Sequence, residues 1–145
     1  MAVSSDVLVE RLTQLGQQLG QREAEHRDAI DTARHCAASL RERVELALDH
    51  FHRAASEAGA PHLRASVSDL RTDDKHLRAV EFELTRGRYR AIITAKSRGE
   101  VTLVGPFRAG KTEGPCLSFP FDATAEIEEA LASFLARFLE DAATP

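Results

Sequence analysis

From Ser5 to Ala58 the chain has no proline and is rich in Ala, Leu, Glu, Gln and Arg, all good helix formers. Within this stretch Leu8, Leu12, Leu15 and Leu19 step by four, three and four. Ile30, Ala33, Ala37, Leu40, Val44, Ala47, Phe51, Ala54 and Ala58 then alternate three and four. The spacing predicts a long helix carrying a heptad seam of the coiled-coil kind. Arg22 and His26 interrupt the seam, and Gly16 and Gly20 each weaken a helix by ~1 kcal/mol relative to alanine. A kink is therefore expected near residues 16–26. Ser4 or Ser5 is the expected cap at the start, and Gly59-Ala-Pro61 is a stop signal at the end.

Length sharpens the constraint. A continuous helix over this span is about 80 Å long at about 1.5 Å per residue. A compact chain of 145 residues has a radius of gyration near ~15 Å. Either part of the helix projects beyond the body, or it folds back near Gly16–Gly20. A projecting seam of leucines needs a partner, and a second copy of the same helix is the simplest one. The seam residues for such a homodimer are Leu8, Leu12, Leu15, Leu19, Ile30, Leu40, Val44 and Phe51. Residues 1–60 are thus read as a helix and oligomerisation region, structurally one unit with residues 61–145.

The rest of the chain changes periodicity. Leu63, Ala65 and Val67 alternate with polar residues, Thr72-Asp-Asp74 suggests a turn, and Val80, Phe82 and Leu84 alternate again. Arg86-Gly87 is the expected two-residue turn, pairing Glu83 with Arg90 and Phe82 with Ala91. A bulge is expected at Gly99. Val101, Leu103 and Phe107 are expected on the inner face of a fourth strand, and Leu117, Phe119 and Phe121 on that of a fifth. Pro120 puts this last strand at an edge or at its own end. Ile127, Ala130, Leu131, Phe134, Leu135, Phe138 and Leu139 form an apolar stripe on a closing helix. The expected fold is α+β: a long N-terminal helix, a five-stranded antiparallel meander, and a C-terminal amphipathic helix on one sheet face.

One motif carries chemistry on paper. Gly105, Gly110, Lys111 and Thr112 match G-x-x-x-x-G-K-[ST], whose glycine-rich loop cradles phosphates at a helix N-terminus. Here Lys111-Thr112 is followed by Glu113-Gly-Pro115 and then by alternating residues that read as a strand, so the match is taken as accidental. A looser expectation is an anion site built from Arg108, Lys111, Arg88 and Arg90. Against it, Glu81 and Glu83 can neutralise the basic face.

The remaining residues point to no reaction. The histidines show no local ligand spacing, so no metal or cofactor is expected. Cys36 and Cys116 fit no disulfide framework, with Cys36 bordering the apolar stripe and Cys116 pointing away from Leu117 and Phe119. Net charge is -4, which argues against general nucleic-acid binding. No apolar run approaches the ~20 residues that span a bilayer, and no signal segment is read at the N-terminus. The resulting expectation is a non-enzymatic, cytoplasmic, homodimeric interaction protein with a second protein as a further partner. The alternative is a small-ligand or anion-binding module using the 105–115 loop and the basic sheet face.

Overall fold

The computed structural model describes residues 3–73, 78–108, 110 and 114–143, with side chains described from residue 6 onward. Helix α1 runs unbroken from Val3 to Glu57, a span of 55 residues. It passes through Gly16 and Gly20 as helix, so the chain does not fold back there. Ser4 and Ser5 lie inside the first turn rather than at the cap, and their side chains lie outside the described residues.

The stop at the other end follows from glycine. Gly59 takes φ +96°, where any side chain is strained. That turn lets Gly59 N–H donate to Ser56 O at 3.0 Å and Ala60 N–H to Ala55 O at 2.8 Å. This paired arrangement satisfies carbonyls that a helix C-terminus otherwise leaves open.

Six strands follow: β1 (Ser66–Val67), β2 (Arg71–Asp73), β3 (Ala79–Arg86), β4 (Tyr89–Lys96), β5 (Glu100–Arg108) and β6 (Cys116–Pro120). They form one antiparallel sheet in the order β1-β3-β4-β5-β6, with β2 also on β3. Six strands replace the expected five because the first is divided. Val67 pairs with Leu84 but Arg71 with Glu81, so three residues oppose two. Ser68 makes this bulge possible: its N–H donates to Glu83 O and its Oγ accepts from Glu83 N–H, both at 2.8 Å. Thr72 and Asp73, expected in a turn, are strand residues, and Asp74 lies outside the described residues.

Two registers differ from expectation. The β3–β4 hairpin pairs Arg86 with Tyr89, Leu84 with Ala91 and Phe82 with Ile93, so its turn is Gly87-Arg88 rather than Arg86-Gly87. Gly87 has φ +57°, and a two-residue hairpin turn of this kind wants glycine first. The expected faces survive, because the shift moves pairs without exchanging sides. Glu83 stands opposite Ile92, yet it still reaches Arg90 on the diagonal at 3.4 Å. In β5 the alternation itself changes. Ile92 pairs with Val104 but Arg90 with Phe107, so Gly105 and Pro106 together oppose Ala91. This bulge turns Phe107 to the outer face, where the sequence alternation had put it inside. Gly105 is fixed there, since a Cβ on it would lie 3.0 Å from both Ala91 Cα and Arg90 O. Gly99, the expected bulge, takes φ +93° in a three-residue β4–β5 turn where Lys96 pairs with Glu100 without a register shift, and Pro120 ends the edge strand β6 as expected.

Helix α2 (Thr124–Ala143) closes the chain. Both helices lie on one face of the sheet, α1 over β3 and β4 and α2 over β4 and β5. Leu40, Val44 and Leu48 from α1 meet Phe82, Leu84 and Ile93 from the sheet and Leu131, Phe134 and Phe138 from α2. Arg86 ties the far end together. Its Nε donates to Ala142 O at the α2 terminus at 3.2 Å, and its Nη1 to His62 O and Arg64 O at 2.9 and 3.1 Å. A cation there also suits the negative end of the helix dipole.

Candidate functional site

The predicted seam divides into two parts with opposite fates. Ile30, Leu40 and Val44 are buried at 7%, 4% and 0% exposure and Phe51 is half-buried, with Leu40 and Val44 packed against the chain's own sheet and second helix. Leu8, Leu12, Leu15 and Leu19 are 59%, 58%, 47% and 47% exposed. Ala47 is also exposed, and Leu48 takes its place in the core. The first residues of α1 to meet the body are His26, Ala29 and Ile30. The segment before them is therefore a free arm about 35 Å long at about 1.5 Å per residue.

The arm and the packed half share one face. From Leu8 to Ala55 the stripe takes 13 steps over 47 residues, about 3.6 residues per step. Eighteen residues make about five whole turns, so Leu8, His26 and Val44 stack in one line, as do Leu12, Ile30 and Leu48. A period near 3.6 marks a straight helix on a flat surface, whereas a left-handed coiled coil keeps about 3.5. The interruption at Arg22 and His26 is thus the drift of a straight stripe. The arm's leucines point toward the plane of the chain's own sheet, beyond its end.

A second apolar surface lies on the sheet's inner face. Strands are spaced ~4.8 Å and packed helices ~10 Å, so each helix covers about two strands. With α1 over β3–β4 and α2 over β4–β5, strand β6 is left uncovered. Leu117 is accordingly 52% exposed. A groove of about 450 Å³ opens there between β6 and α2. Leu103, Leu117, Phe119, Ala130 and Phe134 make its floor, with Glu126, Glu129, Ser133 and Arg137 along the α2 wall. Sequence reading placed these residues correctly by face but missed the groove, which exists only because two helices are too narrow for the sheet.

The three described residues of the expected anion site, Arg88, Arg90 and Arg108, are not gathered. Arg90 lies on the outer face and pairs with Glu83, which Arg71 also contacts at 3.4 Å. Arg108 stands opposite Tyr89 on the other face, with its guanidinium 5.7 Å from that ring's centroid. Arg88 is in the exposed hairpin turn, and Lys111 and Thr112 lie outside the described residues. Gly105 sits within β5, and among the described residues β5 is followed by the antiparallel strand β6 rather than by a helix that could receive a phosphate.

Of the histidines, His52 has a defined structural role. Its Nε2 accepts Ala65 N–H at 3.0 Å, locking the loop after α1 onto the helix. Burial and then the nearby Arg64 hold its pKa below the usual histidine range, against a weaker pull from Asp49. Cys36 is half-buried, and burial raises its thiol pKa. Cys116 is exposed on β6. Among the described residues, no helix is long and apolar enough to cross a membrane. No family model, curated protein or solved structure matches the chain.

Proposed function

We propose that this chain is an assembly module that pairs with a second copy of itself through the N-terminal arm of α1. The exposed stripe Leu8, Leu12, Leu15 and Leu19 carries this reading. Scattered exposed leucines are ordinary, but four on one face of a projecting helix form a contiguous apolar surface. Covering a leucine contributes ~1.5–3 kcal/mol, so four on each of two arms supply ~12–24 kcal/mol. Association costs ~4–15 kcal/mol, which leaves a net gain compatible with a stable dimer. The free thiols Cys36 and Cys116 agree with a reducing, cytoplasmic setting. The role is binding and assembly rather than catalysis, with a further protein partner as the product of that assembly.

Native mass across a dilution series tests the proposal. At micromolar concentration the mass is expected at twice 15.9 kDa. Leu12→Glu with Leu15→Glu should return it to 15.9 kDa with an unchanged fold, since both side chains are in solvent in the single chain. A wild-type mass of 15.9 kDa at every concentration would overturn it.

A further inference from the structure

We infer that the arm of one protomer lies in the β6–α2 groove of its partner, as the third helix of the partner's sheet, in a reciprocal arm exchange. This rests on the reading of the arm as the dimerising element. It adds where the arm goes.

The first reason is fit. The bare strip over β6 is one strand wide beside α2, so a further helix packed there lies over β6 and overhangs the sheet edge. The groove's α2 wall runs from Glu126 to Arg137 and the arm stripe from Leu8 to Leu19, both 12 residues of helix. The arm is also the helical segment of this chain whose apolar face is uncovered. As one unbroken helix α1 carries the arm past the body, and Leu8, Leu12, Leu15 and Leu19 stay exposed in the single chain.

The second reason is symmetry. Because the stripe keeps one line along α1, the arm faces the plane of its own sheet from the helix side. A dyad perpendicular to that plane puts the partner's sheet in the same plane, beneath the arm. The two α1 rods then run antiparallel, and each passes outside the partner's α2, over the partner's β6. The same operation serves both arms, so the assembly closes as a dimer. A coiled coil of two arms would instead turn their leucine faces toward each other and leave the partner's β6–α2 groove open.

The third reason is charge. In the body, one flank of α1 faces α2, where Arg43 pairs with Glu128, and the other flank faces the β1–β2 edge, where Arg41 meets Ser68 and Asp69. The dyad keeps the partner's α2 on the first of these flanks. On the arm that flank carries Arg11, Arg22 and Glu25, while Glu23 lies on the other. The α2 wall of the groove offers Glu126 and Glu129, with Arg137 at its far end. Mainly basic flank and mainly acidic wall are complementary.

The test uses the full chain. Leu117→Glu with Ser133→Arg alters two exposed groove positions and should weaken the dimer about 100-fold or more, giving monomer at micromolar concentration with an unchanged helix and strand content. In a Cys36→Ser, Cys116→Ser background, a mixture of Leu15→Cys and Ser133→Cys proteins should crosslink with a short thiol reagent. Leu15→Cys alone should stay uncrosslinked. A dimer that survives the groove variant, or that crosslinks through Leu15→Cys alone, overturns the exchange while leaving the arm as the dimerising element. A wild-type protein that is monomeric throughout overturns both.

Discussion

Residues 8–19 and residues 30–55 of α1 carry the same stripe on the same line of one helix, yet one half is in water and the other is core. Leu12 is 58% exposed, while Leu48, about ten helical turns later on that line, is 3% exposed. Periodicity therefore reports that a face is to be covered, but not by what. The cover for the second half is the sheet, which stops near Ile30. The helix does not stop with it, and the excess is the part of the molecule free to engage another copy.

The comparison can be broken most directly by the same substitution at both places. Leu48→Asp buries a charge among Val44, Phe82 and Leu84 and should cost more than ~4 kcal/mol, a large part of a domain's stability. Leu12→Asp should leave unfolding of the single chain unchanged and abolish the dimer. Chemical denaturation at low protein concentration separates them, and equal losses of stability would erase the distinction between arm and body.

A smaller effect sharpens the boundary from the body side. Arg86→Met leaves the carbonyls of His62, Arg64 and Ala142 without their donor. The expected cost is about 2 kcal/mol, or about 6 °C in Tm for a chain of this size, with the dimer affinity of the folded protein unaltered. Calorimetry showing no shift would remove the clasp from the account.

The smallest effect is in pH. Burial and then Arg64 lower the pKa of His52 in the fold below the unfolded value near ~6.5. The unfolded chain then binds the proton that the native chain resists. The stabilisation is present above pH ~6.5 and is lost as pH falls through the lower native pKa. His52→Gln, whose amide oxygen can still accept Ala65 N–H, should flatten the stability slope as pH falls below ~6.5. An unchanged slope would assign the titration elsewhere.

Much of this fold was legible in the sequence because its local signals are strong. The proline-free stretch, the stop at Gly59 and the inner faces of β3 and β4 all stand as expected. The failures fall where backbone geometry overrides alternation. Ser68 and Gly105 each insert one residue into a ladder, dividing the first strand and turning Phe107 outward. The Gly87 turn moves the hairpin register because glycine's position in the turn, not its presence, fixes the pairing. The stripe on α1 was visible at once, but heptads and a straight face differ by only about 0.1 residue per step. Separating them takes the whole helix and the burial of Leu48 in place of Ala47. The groove had no local signal, since it follows from the widths of a sheet and two helices.

Hydrogen exchange read residue by residue along α1 at rising protein concentration tests the central contrast most directly. The body half, 30–48, should hold constant strong protection, while 8–19 should pass from weak protection in dilute solution to strong protection as dimer forms. Protection of 8–19 that does not change with concentration would show that no second copy covers the leucines.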